Sequence, residues 1–375
     1  MNLTGIWRLL RRYVLIFDPT LFGILLLLTL VSLVTMFSAA NDSMSRLMIH
    51  TRNLGVAVLL TWVVTLLRPR HLMHAAIPLY VLGLALLIGV ELVGVSAKGA
   101  RRWLDLGAFR IQPSELMKMA LPLLLAWFFH HSGRLSGQNR YLIAMLLAVV
   151  PVALIGRQPD LGTAILVASA GAFTIYFAGL GWRVILGGLV IFISALPLLW
   201  INMKPYQQQR VLTMLDPTSD PLGKGFHIIQ STIAVGSGGL DGKGWLHGTQ
   251  AHLDFVPERS TDFIFSVYAE EFGLIGTAVL LLLYLALISR GLMIAAGART
   301  TFARLLAAAT TMTFFTYAFV NIGMVIGILP VVGVPLPLMS YGGTALVTLG
   351  LGTGMLMCVA RENSLYRQNP NHRYH

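Results

Sequence analysis

The run FIFSVYAEEFGLIGTAVLLLLYLALI, from Phe263 to Ile288, decides the fold class. A helix needs roughly 17 to 25 mostly apolar residues to cross ~30 Å of hydrocarbon, and this run meets that length. It is too long and too uniformly apolar for the alternating wall of a β-barrel, so it reads as a membrane-spanning helix.

Similar runs fill most of the chain. Of its 375 residues, 56% are hydrophobic and 11% charged, a balance that no water-soluble globule could bury. The expected architecture is all-α and polytopic, with about ten transmembrane helices. They fall near Leu21 to Ala40, Leu54 to Leu67, Ala75 to Val95, Glu115 to His130, Tyr141 to Gly156, Leu161 to Leu180, Val184 to Ile201, Phe263 to Ile288, Leu305 to Ile328 and Leu338 to Ala360. The second and fifth runs are short and the pair around Gly181 is nearly continuous, which leaves nine or eleven open. The whole chain, 1–375, reads as a single integral membrane domain, and its one long hydrophilic stretch, 203–262, as a large extracytoplasmic loop between helices 7 and 8. Within that loop FHIIQSTIAVGSG, Phe226 to Gly238, has the spacing of an amphipathic helix on or dipping into the membrane.

Lys and Arg counts over alternate loops nearly tie, so the acids settle the orientation. One face is almost pure arginine, including Arg8, Arg11, Arg12, Arg68, Arg70, Arg183, Arg290, Arg299 and Arg361, with Asp18 and Glu362 as its acids. The other mixes bases with nearly every remaining Asp and Glu. Short, purely basic loops mark the cytoplasm, so both termini are expected there. The opening stretch WRLLRRYVLIFDP shows no small-residue cleavage site, and the first apolar run is expected to stay as an anchor.

The polar complexity therefore gathers on the outer face. Basic residues in SAKGARRWLDLGAFRIQPSELMK, Arg101 and Arg110 among them, defy the sorting rule and suit an anionic ligand such as phosphate. Glu115 and Lys118, at i and i+3, can pair on one helix face. That pair is either a structural salt bridge or a phosphate-binding lysine held by its glutamate. Asp160 heads the sixth helix, where an acid can simply cap, and Glu91 can snorkel. The glycines of the long loop lack Walker spacing, and GLGTG, ending at Gly354, reads as helix packing rather than a nucleotide fingerprint. Cys358, the lone cysteine, reads as a packing residue. His71 and His74 read as solvated, and no His cluster or nucleophile elbow supports zinc hydrolysis or a triad.

Just before the opening run stands PERSTD, Pro257 to Asp262. Ser260 and Thr261 are expected to cap the eighth helix and Asp262 to sit in its first turn at the outer membrane edge. An ionised carboxylate there can take a proton from a hydroxyl, hold a divalent cation, or do neither and merely start a helix.

The segments KGARRWLDLG, RIQPSELMK, QPDLGTA, GKGWLHGTQAHLDFVPERSTDFIFSVYAEEFGLIG and GILPVVGVPLPLMSYGGTAL resemble the SEDS family (shape, elongation, division and sporulation), over nearly the whole chain. GVPLPLMSYGG and GTQ…VPER are similar to its rod-elongation branch. The resemblance implies a peptidoglycan glycosyltransferase that polymerises lipid II at the outer face of the bacterial inner membrane and releases undecaprenyl pyrophosphate; the alternative is a lipid II flippase. It implies Asp262 as the catalytic residue, acting as base, as ligand of a divalent cation (Mg or Mn), or both. Lys118 with Glu115, Asp160, Arg101, Arg110 and Arg210 are then candidates for the pyrophosphate site. It also implies a class B penicillin-binding protein seated on helices 8 and 9, with other membrane proteins of the elongation complex. Members of the rod branch often carry His where Ser260 stands, which puts a side-chain role there in doubt.

Overall fold

The structure is a computed structural model that describes residues 16–41, 43–97, 100–105, 107, 110–134, 137–203, 205–219, 223–253, 255 and 258–368. The basic N-terminal stretch with Arg8, Arg11 and Arg12 lies outside the described residues.

Of the described residues, 79% are helical. Long helices overlap each expected apolar run: α1 (Pro19–Ala39), α2 (Met44–Leu66), α3 (Pro69–Val93), α4 (Pro113–His131), α5 (Gly137–Arg157), α6 (Leu161–Phe177), α7 (Trp182–Asn202), α11 (Ile264–Ala296), α12 (Thr301–Val325) and α13 (Gly343–Gln368). Among the described residues, seven are long and apolar enough to cross a membrane; α4, α6 and α7 fall outside that group. Leu26, Leu30, Val81, Leu82 and Leu282 face outward and exposed. In water such a belt would aggregate; here its solvent is lipid.

Between α3 and α4 a small antiparallel sheet folds from β1 (Val95–Ala97), β2 (Ala100–Asp105) and β3 (Arg110–Ile111). Stretch 203–262 carries α8 (Pro205–Leu215), α9 (Lys224–Ser237) and the single turn α10 (Thr249–His252). The helix expected from FHIIQSTIAVGSG is thus present as α9, docked on α11 and α12: Ala234 is buried, and Ser231 Oγ donates to the carbonyl of Val325 at 2.9 Å.

α12 is the central strut, packed by α4, α6, α11 and α13. α2 and α13 lie closest, because glycine replaces side chain where they touch. A Cβ on Gly354 would stand 2.7 Å from Val64 Cβ, and one on Gly350 would stand 2.9 Å from Ala57 Cα. GLGTG is a packing seam. On the opposite end of the bundle Asp18 caps α1, accepting from the amide of Leu21 at 2.9 Å, and pairs with Arg290 at 2.5 Å. Burial pushes the Asp18 carboxyl up, but Arg290 and the amides of Leu21 and Thr20 outweigh it and hold its pKa below the usual value. The tie between α1 and α11 is therefore present at neutral pH and is lost as pH falls through that lowered pKa.

The apolar run Phe263 to Ile288 is broken in space. Gly273 adopts φ 62° and ψ −160°, a left-handed conformation that favours glycine, and kinks α11. The kink frees amides from the helix ladder, and the loop before it supplies their partners: Leu274 N donates to Gly239 O at 2.9 Å and Ile275 N to Leu240 O at 3.1 Å. In return Lys243 N and Gly244 N donate to the carbonyls of Glu270 and Glu271, each at 3.0 Å. Both glutamate side chains are buried. Glu270 Oε1 accepts from Lys243 Nζ at 2.6 Å and from Gln250 N at 2.9 Å, while Glu271 Oε1 accepts from Leu246 N at 3.2 Å and from Ser38. Two of the acids at the polar-to-apolar boundary thus stitch the long loop into the kink.

Candidate active site

At the end of the bundle that carries the β-sheet and stretch 203–262, helix ends and loops enclose a polar cavity of about 310 Å³. Antiparallel alternation brings them together: the starts of α4, α6 and α13, the turn before α11 and the loop after α12 all open on the same side.

α4 contributes Gln112, Glu115 and Lys118. Lys118 is 2% exposed, and its ammonium donates to Glu115 Oε1 and to Tyr317 Oη, both at 2.7 Å. The second oxygen of Glu115 accepts from Thr348 Oγ1 at 2.9 Å. The expected i,i+3 pair is present and lines the cavity, so the structural and the ligand-facing readings describe the same side chains.

Asp160 likewise does two things. It caps α6 through the amide of Thr163 at 3.3 Å, and its other oxygen accepts from Gln112 Nε2 at 2.9 Å within the cavity wall. Arg102 Nη1 stands 3.7 Å from the same carboxylate, and Arg102 also donates to the carbonyl of Pro159.

Asp262 lines the cavity with Glu258 and Thr261. Helix α11 begins at Ile264 with Phe263 as its N-cap, and that cap makes no side-chain hydrogen bond. Asp262 therefore stands in the turn before the helix rather than in its first turn, and Ser260 and Thr261 do not cap it. Thr261 Oγ1 instead donates to Glu258 Oε2 at 2.9 Å. Ser260 is buried and works through its carbonyl, which accepts from Tyr341 N at 2.8 Å. The turn is further hooked to α1 by Arg259 Nε, which donates to Ala39 O at 2.9 Å.

Three expected site residues are not brought here. Arg101, Arg110 and Arg210 do not line the cavity. Arg110 pairs at 3.1 Å with exposed Asp105, whose pKa the Gly107 amide and this arginine lower. Arg210 lies on α8. Strand alternation explains why Arg102, and not Arg101, is at the site: Leu104 is buried, and Arg102, two residues away, shares its face of β2. That signal was in the sequence, although the inward face could not be known without the strand. Glu258, Gln112 and Tyr341 were missed because nothing local marks them; the cavity itself selects them.

A helical membrane bundle whose loops and helix ends on one side enclose ionised and hydrogen-bonded groups is a polytopic membrane protein with a built interfacial site. The chain belongs to the FtsW/RodA/SpoVE family of cell cycle proteins, whose model matches residues 10–365. It is 49% identical over 343 residues to peptidoglycan glycosyltransferase MrdB of Escherichia coli (strain K12), covering 91% of this chain and 93% of that protein. It is 33% identical to peptidoglycan glycosyltransferase RodA of Treponema pallidum, covering 73% and 80%. Among solved structures it resembles one described as structural coordination of polymerization and crosslinking by a peptidoglycan synthase complex, with a TM-score of 0.81, 36% identity and 92% and 98% of the two chains covered. The crystal structure of the Thermus thermophilus rod shape determining protein RodA aligns with a TM-score of 0.71 at 31% identity, covering 92% and 97%.

Proposed function

We propose that this protein is a peptidoglycan glycosyltransferase of the rod-elongation branch, which polymerises lipid II into glycan strands and releases undecaprenyl pyrophosphate. The observation that carries the site assignment is the convergence on one cavity of Asp262, Asp160 and the Glu115–Lys118 pair, three stretches distant in sequence. Asp262 takes the proton from the attacking 4-hydroxyl of N-acetylglucosamine, and the oxygen joins the anomeric carbon of N-acetylmuramic acid as the pyrophosphate departs. The leaving group needs positive charge rather than a proton, and Lys118 and Arg102 are the cations at hand.

Both cations already face carboxylates, and the described lining holds four acids (Glu115, Asp160, Glu258 and Asp262) against these two bases. That excess favours a divalent cation such as Mg or Mn. Asp262 and Glu258 would supply hard oxygens for it; the described residues gather no group of three His, Cys, Asp or Glu, so the protein alone would not fill the ion's shell. When bound, the ion supplies charge against the pyrophosphate.

Purified protein given lipid II and Mg or Mn in detergent, where no second compartment exists, is expected to form glycan chains. No chains even with its partner present would favour the lipid II flippase. A flippase is the weaker reading because the cavity's ionisable groups all come from one end of the bundle, whereas a translocation path needs them at mid-membrane as well.

The site end faces outward, with both termini in the cytoplasm of a cell whose inner membrane holds the chain. A cysteine placed near Gly239, at exposed Leu240, is expected to react with an impermeant thiol reagent applied from outside, and one near Arg299 is not; the reverse pattern overturns the orientation.

For the partner, a class B penicillin-binding protein, the exposed apolar face of α11, with Leu274, Val279, Leu282 and Leu285, is a surface for a single membrane helix, and α12 adds Phe319. In-membrane crosslinks are expected on α11 and α12, the eighth and ninth long helices, and crosslinks that fall on α1 and α2 would remove this assignment.

A further inference from the structure

The turn that carries Asp262 is held from behind by one side chain. Asn321, on α12, is fully buried, and its Nδ2 donates to the carbonyl of Asp262 and to the carbonyl of Val334, both at 2.7 Å. An amide nitrogen carries two protons, and here they tie together two segments far apart in sequence, the turn before α11 and the loop between α12 and α13. Those segments meet at the carboxylate itself: a Cβ on Gly333 would stand 3.4 Å from Asp262 Oδ2. The partners also fix the amide's orientation, since only its nitrogen can serve two carbonyls; Oδ1 meets no partner among the described residues.

One turn earlier on the same helix stands Tyr317. Its hydroxyl accepts from Lys118 Nζ at 2.7 Å, and the ammonium lies 5.1 Å from its ring centre. Positions i and i+4 lie on one helical face and are separated by about 6 Å of rise. One face of α12 thus carries the hold on the Asp262 backbone and the hold on the Lys118 ammonium. Both side chains are fully buried.

We infer that Asn321 and Tyr317 are positioning residues for the reaction, a two-point gauge on α12 that sets where the Asp262 carboxylate and the Lys118 ammonium stand relative to each other. Neither lines the cavity, so each acts through the group it holds. The inference rests on the site reading above, in which Asp262 acts on the attacking hydroxyl and Lys118 on the leaving pyrophosphate.

The two holds predict different kinetic signatures. Asn321→Leu fills the same space without donors and lets the turn drift. A misplacement of ~1 Å costs on the order of 10² in rate, so kcat is expected to fall about 10- to 100-fold while KM for lipid II stays within about threefold. Tyr317→Phe keeps the ring and removes the oxygen that Lys118 meets; KM is expected to rise on the order of tenfold with a smaller change in kcat.

The experiment is steady-state polymerisation of lipid II by the purified full-length protein with its partner, per folded molecule, for the native form, Asn321→Leu, Asn321→Ser, Tyr317→Phe and Asp262→Asn. Ser retains one donor and is read in place of Leu where Leu does not fold, with an intermediate kcat expected. Native kcat in folded Asn321→Leu or Asn321→Ser, or changes confined to melting temperature, overturn the inference. Activity retained by Asp262→Asn instead overturns the site reading beneath it, so the two failures are told apart in one series.

Discussion

Asp262→Asn is expected to lower glycan-chain formation from lipid II by on the order of 10² or more, the usual contribution of a positioned general base, while the protein melts and binds its partner as the native form does. The structure explains why the loss should be chemical rather than structural. Its main-chain carbonyl accepts from Asn321 at 2.7 Å, and an asparagine leaves that bond to the core in place. The side chain keeps its volume and loses its charge, and with it the ability to accept the proton or to hold a cation strongly. Chain length distributions on a gel, with divalent cation present, read the result. Equal product from both forms would sink the role of Asp262.

Lys118→Met is expected to be the most destabilising single change at the site, by about 3–5 kcal/mol, the range for breaking a buried ion pair. The ammonium is 2% exposed and bonded to Glu115 and Tyr317, so its removal leaves a carboxylate with Thr348 as its remaining partner in the site wall. Replacing both members, Lys118→Met with Glu115→Met, removes the stranded charge and is expected to restore much of the melting temperature, as apolar substitutes for a buried pair commonly do. Polymerisation should not return with it, because the cation proposed to meet pyrophosphate is gone. Recovery of activity together with stability would reduce the pair to a structural salt bridge.

The helices were legible in the sequence because crossing a bilayer leaves a chain little choice. Backbone groups in hydrocarbon must bond within their own segment, so each apolar run was expected to be a helix, and each overlaps one, although the run from Leu338 starts in the loop before α13. The amphipathic stretch that became α9 and the packing glycines Gly350 and Gly354 were readable for similar reasons, since helical period and small residues are local signals. Boundaries were less secure: α2 begins at Met44, ten residues before the expected Leu54, because its polar first turns lower the local hydropathy without breaking the helix. The kink at Gly273 was invisible for another reason. A glycine within an apolar helix costs little to write, and the break exists because loop 239–244 arrives to bond the freed amides.

The sequence by itself determined a membrane-embedded helical bundle, the polar character of one face, and the short-range arrangements that chemistry at a helix start requires: Glu115 beside Lys118 and Asp160 at a cap. These depend on residues a few positions apart, whose relative placement a helix dictates. Tertiary structure alone decided which outward charges form a site. It chose Arg102 over Arg101 by the facing of a strand, left Arg110 to Asp105 and Arg210 on α8, and added Glu258 and Tyr341. It also placed Asn321, 59 residues along the chain, behind Asp262. Contacts of that kind are set by how helices pack, and packing sums many weak, non-local preferences that no single stretch of sequence records.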